Sequence, residues 1–529
     1  MTNKKIYLLI LFIIVSITFN VNAENYGGNL KIKMNKRPLT LNPIFSANQT
    51  EKNINKQIFD KLLILNSQGE LSNNLIEFWE SNAESTVFKF KLKKNVYFHP
   101  YKLNGKEIKI EQRKVTAADW KWSFEYLADP KNKSPYAGIF KKVVGYDDYQ
   151  EQKSNEITGI KVIDDYQLQI SLKDSYAPFI YNLAKEAAVV IPKKAVLESG
   201  QKFSLNPIGT GPFKFKNFAN NRIKLTKNQN YWKKTEQQNK LPYLEQIEYY
   251  FDNSKNLNKN YQEFDLYQLS YDQLINYYHN NQRDENYNLK TIINNNLYFV
   301  AFDCRDNDIK ESKYKVIKYQ IKSSLNNDKF NQAIKLNNYI HNENMSDGFN
   351  FLNKISAKTE ANSENEVNFS DNLKLKMFSN NSNLSLQISE LLKTELKKFN
   401  VKLEVKNYNW NKYLELLKSS SQRDLFMMSY SYENKFEFIA DNFYSKSEKN
   451  YFNYENRRID NLIDYIKLTK NMENQNIAYT IMEEILFHDN PYLVIFKGVD
   501  LFLISEKLSN QKILDNIHTK DKLELFYFE

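Results

Sequence analysis

Cysteine occurs once in 529 residues, at Cys304, so no internal disulfide can form. The thiol sits at the margin of the apolar run 297–302, where a buried, unreactive side chain is expected. Histidine occurs five times, at 99, 279, 341, 488 and 518, with no spacing that would gather metal ligands. No His-Glu-x-x-His, Gly-x-Ser-x-Gly or cysteine cluster is present, which removes the common zinc-peptidase and serine-hydrolase signatures. A triad assembled from distant residues stays open, because its members need not be close in sequence. No catalytic residue, metal site or cofactor is therefore assigned. Beyond the N-terminus, no apolar run approaches the ~20 residues needed to span a bilayer.

What is present begins with the first 23 residues. Lys4 and Lys5 precede an apolar run from Ile6 to Phe19, and Val21-Asn22-Ala23 supplies small residues for cleavage. This reads as a secretory signal peptide, with an uncleaved anchor as the alternative. No cysteine follows to accept a lipid, so the mature chain is expected free in the periplasm. Its length predicts two or three domains. Mean hydropathy is −0.66, that of a soluble chain, while 41% hydrophobic residues can fill large cores. The 36 Tyr and 35 Phe accompany abundant Asn, Lys and Ile, all residues with AT-rich codons, so aromatic abundance alone does not mark a ligand site. The formal charge of +11 falls to +9 without Lys4 and Lys5. Export makes a nucleic-acid partner improbable, and scattered lysines on solvated faces or attraction to an anionic membrane explain the excess.

The stretch Asn206–Trp232 carries the densest pattern. Gly209-Thr210-Gly211-Pro212 predicts a tight turn in which both glycines take backbone angles closed to other residues. A phosphate cradle would need a helix after the glycines, and a strand follows instead. Phe213 and Phe215 alternate with lysines, Ala219-Asn220-Asn221 turns the chain, and Ile223 and Leu225 alternate again. This is a β-hairpin with one buried face, ending in an aromatic plug at Tyr231-Trp232. Thr116 and Asp119 predict a helix start, with the threonine oxygen receiving backbone N–H groups and Trp120, Phe124 and Leu127 on the inner face. His99 ends a predicted strand and is expected at the surface. Residues 371–499 read strand–helix–strand–helix–strand, an α/β lobe, followed by a helix with Ile477, Ile481 and Ile485 inward. A helix is expected over 314–325, and a long loop over 341–370.

Several of these stretches resemble the extracytoplasmic solute-binding proteins of peptide ABC transporters (family 5, the oligopeptide and dipeptide binders). The resemblance rests on Asn206–Trp232, on Thr40-Leu41-Asn42-Pro43, on Val115-Thr116-Ala117-Ala118-Asp119-Trp120, and on the order of elements after 371. It implies an α/β, two-lobed periplasmic binding protein (type II, cluster C-like) with an additional α+β insert domain and a hinge between lobes. The expected division is lobe I at 24–65, an insert at 66–202, lobe I again at 203–296, lobe II at 297–499 and a lobe I return at 500–529.

The same resemblance implies a short peptide as ligand, permease subunits in the inner membrane as partners, no nucleic acid, a monomer and no catalysis. Two lobes would close on an extended peptide whose backbone adds to strand edges. A buried α-ammonium needs a carboxylate. Aligning 425–432 on the family's "G-W-x-x-D" strand end puts Tyr430 at the tryptophan and Glu433 at the aspartate, with Asp441 as rival anchor. Trp410 and Tyr430 are candidate cleft walls, with a core role for Trp410 as the alternative. Thr40, Leu41 and Asn42 are placed beside the cleft. Lys36 and Arg37 replace the acidic residue common before that motif, and Arg37 hints at a non-peptide solute. A periplasmic chaperone or receptor on the same lobes is the reading from another class.

Overall fold

The computed structural model describes residues 26–66, 70–252, 260–270, 284–305, 373–420, 422–431, 434–515 and 523–528, with a few isolated positions between. The expected signal peptide, the helix over 314–325 apart from Ile321, and the loop over 341–370 lie outside the described residues.

In chain order the principal elements begin with β1 (Asn29–Met34) and α1 (Gln49–Ile58). β2 (Ile76–Ser81), β3 (Val87–Leu92), α2 (Ala117–Ala128), β4 (Ile160–Asp164) and β5 (Gln167–Ser171) follow. Then come β6 (Phe213–Ala219), β7 (Arg222–Lys227), β8 (Gln246–Phe251), β9 (Leu266–Leu269) and the 16-residue β10 (Tyr287–Phe302). The last third holds β11 (Leu373–Asn380), α3 (Asn383–Lys397), β12 (Val401–Tyr408), α4 (Trp410–Ser419), β13 (Leu425–Ser431), α5 (Lys435–Phe443), α6 (Arg457–Leu468), α7 (Met472–Asp489) and β14 (Tyr492–Ser505).

One large sheet runs β6-β7-β8-β1-β9-β14-β10-β13-β11-β12. At one end, β6 and β7 form an antiparallel hairpin whose Asn220 and Asn221 both have positive φ, 51° and 57°. That is the geometry of a two-residue turn matched to strand twist, and asparagine tolerates it because its short side chain hydrogen-bonds locally. Phe213, Ile223 and Leu225 are fully buried on one face. A bulge between Phe215 and Asn217 shifts the alternation, bringing Phe218 rather than residue 217 opposite Ile223. At the other end, β11 runs parallel to β12 and β13, as strands linked through the crossover helices α3 and α4 must.

The two ends are joined by β10 and β14, which pair antiparallel from Tyr287 with Ser505 to Ala301 with Tyr492. Their register slips between Ile293 and Leu297, at Asn294-Asn295-Asn296. The divisions expected at 296/297 and 499/500 thus fall inside continuous strands. A separate four-stranded sheet, β2-β3-β5-β4, lies within 66–202. Its inward residues Phe88, Phe90, Leu168 and Ile170 belong to one contiguous core with Leu30, Ile54, Ile58 and Phe213. Each such apolar side chain contributes ~1.5–3 kcal/mol relative to exposure.

Several local readings are corrected. Gly209 and Gly211 are not in the left-handed region; among the described residues the glycines with positive φ are Gly27, Gly28, Gly105, Gly145 and Gly200. What both positions require is space. A Cβ on Gly211 would lie 2.6 Å from the Ile58 carbonyl carbon, and one on Gly209 2.7 Å from the Phe59 ring. His99 is not at the surface but only 2% exposed, bound to that same glycine loop. At the start of α2, the Thr116 hydroxyl donates to Asp119, whose carboxylate also accepts the Thr116 N–H. On α7 the inner face is Ala478, Met482, Ile485 and Leu486, while Ile477 is 54% exposed. Cys304 is only half-buried.

Candidate functional site

The cleft is built on α1. Asn48 caps it reciprocally with Glu51: Asn48 Oδ1 accepts the Glu51 N–H at 3.0 Å and Glu51 Oε2 accepts the Asn48 N–H at 3.3 Å. Buried Glu51 also accepts the N–H of Leu39 at 2.8 Å and of Ala47 at 2.9 Å, tying the preceding turn to the helix. Ile54 and Ile58 face the core, which turns Gln49, Lys52 and Lys56 outward. That outward stripe forms one wall of a cleft of about 880 Å³.

A second wall comes from 135–189, with Tyr136, Tyr176, Tyr181 and Lys185 facing in. The third is the start of lobe II's α5, where Phe436, Glu437, Ala440 and Asp441 share one helix face below Ser431. The lobes touch across it. Lys185 Nζ reaches Glu437 Oε1 at 3.1 Å, the Tyr176 and Phe436 rings meet edge-on at 6.1 Å, and the Ala177 N–H donates to the Lys467 carbonyl at 2.6 Å.

Asp60, directly after α1, closes the floor. Its carboxylate accepts from Thr210 at 3.1 Å, the Trp232 indole at 3.2 Å and Tyr231 at 3.4 Å. Burial pushes its carboxyl above the usual range, against the pull of those donors and of Lys233. The aromatic plug and the glycine loop are therefore one assembly around a buried acid. His99 holds the loop from behind: Nδ1 accepts the Gly209 N–H at 3.3 Å and Nε2 meets the Gly211 carbonyl at 2.9 Å. Only the neutral tautomer protonated at Nε2 satisfies both. Burial, reinforced by Lys214 and Arg113, lowers its pKa to about 3 against the bond to Gly211.

Among the described residues of the cleft walls, two polar atoms lack a donor. Asn55 is 4% exposed, and its amide nitrogen donates to Ser46 while its buried Oδ1 has no hydrogen bond. Glu437 Oε2 is likewise buried without one.

The candidate residues divide. Asp441 lines the cleft, its Oδ2 taking the Tyr430 hydroxyl and Lys449 at 2.7 Å. Tyr430 lies behind it, packed on Phe438 at 5.7 Å, as a support rather than a wall. Trp410 opens α4 at 47% exposure beside Tyr413 and does not line this cleft. Arg37 stacks on Phe218 at 4.5 Å, away from the cleft. Thr40, Leu41 and Asn42 form the turn before α1: Thr40 Oγ1 accepts the Asn42 N–H, Asn42 Oδ1 accepts that of Ile44, and Leu41 is buried. None of the three lines the cleft. Glu433 lies outside the described residues. Sequence reasoning missed Glu437, Lys52 and Asp60. The Asn434-x-x-Glu437 spacing marks a helix start, and the Asn434 side chain does accept the Glu437 N–H at 2.8 Å.

Two lobes joined by paired strands around a deep cleft define a two-domain binding protein. The solved structures agree on that fold. The unliganded open form of the murein tripeptide-binding protein MppA matches with a TM-score of 0.72 at 18% identity, covering 96% of this chain and 99% of that one. The DppA protein of Helicobacter pylori, solved with the peptide STSA, gives 0.64 at 17% identity over 96% and 99%. The family model for bacterial extracellular solute-binding proteins, family 5 (middle), matches residues 70–338, and the chain belongs to that family. Among curated relatives, the periplasmic oligopeptide-binding protein OppA of Salmonella typhimurium is 31% identical over 189 residues, 34% of this chain and 32% of its own length. The aligned stretches thus span about a third of the curated relatives.

Proposed function

We propose that this protein captures short peptides between its lobes in the periplasm and delivers them, as a monomer, to the membrane permease of an ABC importer. The observation that carries the reading is the cleft with buried acceptors on two facing walls. Asn55 Oδ1 from lobe I and Glu437 Oε2 from lobe II both lack a donor, and an unmet buried acceptor costs ~1–3 kcal/mol. A peptide supplies the complement, with backbone N–H groups for the amide oxygen and an α-ammonium for the carboxylate.

Asp441 and Glu433 remain alternative ammonium anchors; Asp441 Oδ2 is engaged by both Tyr430 and Lys449, whereas Glu437, with Oε1 on Lys185, keeps a buried Oε2 without a hydrogen bond, so Glu437 takes the role here. Tyr136, Tyr176 and Tyr181 offer broad apolar contact with a polar tip, suited to varied side chains. The volume falls within the ~300–1,000 Å³ range of small-ligand sites. Peptide-binding relatives such as OppA and the STSA complex of DppA support this substrate class. Among the described residues, no helix is long and apolar enough to cross a membrane.

The test is mass spectrometry of what denaturation releases from protein purified natively from periplasm. A ladder of short peptides is the expected result. A single non-peptide compound would keep the fold and overturn the substrate, and an empty cleft with no peptide binding in titration would favour a role outside transport.

A further inference from the structure

Asparagine is abundant in this chain, but only once is it followed by glycine, at Asn104-Gly105. The pair sits at the tip of a short hairpin in which Lys102 and Leu103 pair with Glu107 and Lys106. Asn104 and Gly105 both have positive φ, 49° and 75°, as in the two-residue turn that fits strand twist. Both are exposed, and a Cβ built on Gly105 would meet nothing within 4 Å. The hairpin is tied down from one side. The Asn104 N–H donates to Glu198 on the helix Lys193–Ser199 at 2.8 Å, and the Ile108 N–H donates to the Tyr101 carbonyl at 3.0 Å. Among the described residues, no hydrogen bond holds the Asn104 carboxamide or the Gly105 N–H. The turn therefore presents a side-chain amide carbon and the next backbone nitrogen together, both open to water.

We propose that Asn104-Gly105 is a site of spontaneous modification, at which the folded protein converts its own asparagine to aspartate and isoaspartate. The Gly105 nitrogen gives its proton to hydroxide and attacks Asn104 Cγ. The N–Cγ bond forms, the Cγ–Nδ2 bond breaks, and ammonia leaves behind a cyclic imide. Water then opens the ring. Opening on one side restores an ordinary peptide bond with an aspartate; on the other it leaves the main chain routed through the side-chain carbonyl. Nothing is oxidised or reduced. Glycine matters because it brings no Cβ to crowd the attacking nitrogen. The same chain supplies the comparison. Asn220 turns its hairpin at φ 51° but precedes Asn221, while Asn95, Asn400 and Asn453, also at positive φ, precede valine or tyrosine. The products differ in effect. Aspartate tolerates the turn but sets a second carboxylate beside Glu198. Isoaspartate adds a methylene to the main chain, which breaks the register of Leu103 with Lys106 and the tie to Glu198. None of residues 102–107 lines the cleft, so the change falls on the outer surface of the 66–202 segment.

The test is ageing of the purified full-length protein at neutral and mildly alkaline pH, followed by peptide mapping in a mass spectrometer. The expected result is the mass gain of an amide-to-acid exchange at Asn104, faster at alkaline pH, with the Asn220 peptide unchanged. A methyltransferase specific for isoaspartate should label the Asn104 peptide. Gly105→Asn copies the Asn220-Asn221 turn, so it is expected to fold normally by circular dichroism. It should slow the conversion at least about tenfold, which is ~1.4 kcal/mol in the barrier. Equal conversion at Asn104 and Asn220, or an unchanged rate in Gly105→Asn, would overturn the assignment to the glycine. Conversion in urea-unfolded protein with none in the folded protein would mean that the hairpin protects the pair, and the proposal would fail. Aged protein should also lose amide protection over residues 102–108 in hydrogen exchange. Protection kept in the isoaspartate-containing fraction would refute the release of the hairpin.

Discussion

Acid should loosen this protein through His99. The imidazole is neutral in the fold, with Nε2–H toward the Gly211 carbonyl and Nδ1 receiving the Gly209 N–H, and its pKa is lowered from 6.5 to about 3. A depressed folded pKa means the unfolded chain takes up a proton first. The contribution is therefore fully present above pH 6.5 and is lost progressively as pH falls toward 3. The whole shift corresponds to ~5 kcal/mol, and the part spent between pH 7 and pH 5 to ~2 kcal/mol. The perturbation is His99→Gln, which keeps a donor for Gly211 but cannot titrate. Urea unfolding of both proteins at pH 7 and pH 5, followed by circular dichroism, isolates the term because other titrating groups cancel in the difference. The wild type is expected to lose ~2 kcal/mol more than the variant on acidification. Parallel losses would refute the reasoning, since they would mean that the glycine loop accepts an imidazolium as readily as an imidazole.

Three further outcomes follow from described contacts. Gly211→Ala sets a methyl 2.6 Å from the Ile58 carbonyl carbon, against backbone that cannot move aside, and is expected to cost ~1–3 kcal/mol in chemical denaturation. Asn220→Ala places a residue with no side-chain hydrogen bond at φ 51° and should cost ~1 kcal/mol, with Asn220→Gly restoring it. Lys185→Met removes the half-buried ion pair between the second wall and lobe II, worth up to ~1 kcal/mol, and should enlarge the ligand-free protein in small-angle scattering.

Where a segment's own pattern determines its structure, the sequence was readable. Phe213, Ile223 and Leu225 alternate correctly for their hairpin, two asparagines mark its turn, and Leu375, Val401 and Leu403 lie on the buried faces expected of an α/β lobe. What failed depended on partners far along the chain. Gly209 and Gly211 signal a special backbone in any local reading, yet their reason is residue 58, some 150 positions earlier, which no window contains. His99 looks like a strand-end histidine until the loop 110 residues away folds over it. On α7, apolar residues surround much of the helix, so Ile477 and Ala478 cannot be ranked without knowing which side α6 occupies. The candidate site suffered most. Lys52 and Lys56 form a polar stripe indistinguishable from a solvated face, and only the arrival of 135–189 and of α5 turns that face into a wall.

The paired strands β10 and β14 bear on how the molecule comes apart. Both halves of the protein are sewn to one hydrogen-bond ladder, from Tyr287 with Ser505 to Ala301 with Tyr492, interrupted where the register slips. Melting either half strips a long edge from the other, exposing a row of backbone donors and acceptors that water alone must then satisfy. Neither half can therefore unfold as a bystander, and heating should yield one cooperative transition rather than two. A ligand held only at their junction would raise that single transition for the entire chain, and the slip at Asn294-Asn295-Asn296 would be the first place where amide protons exchange.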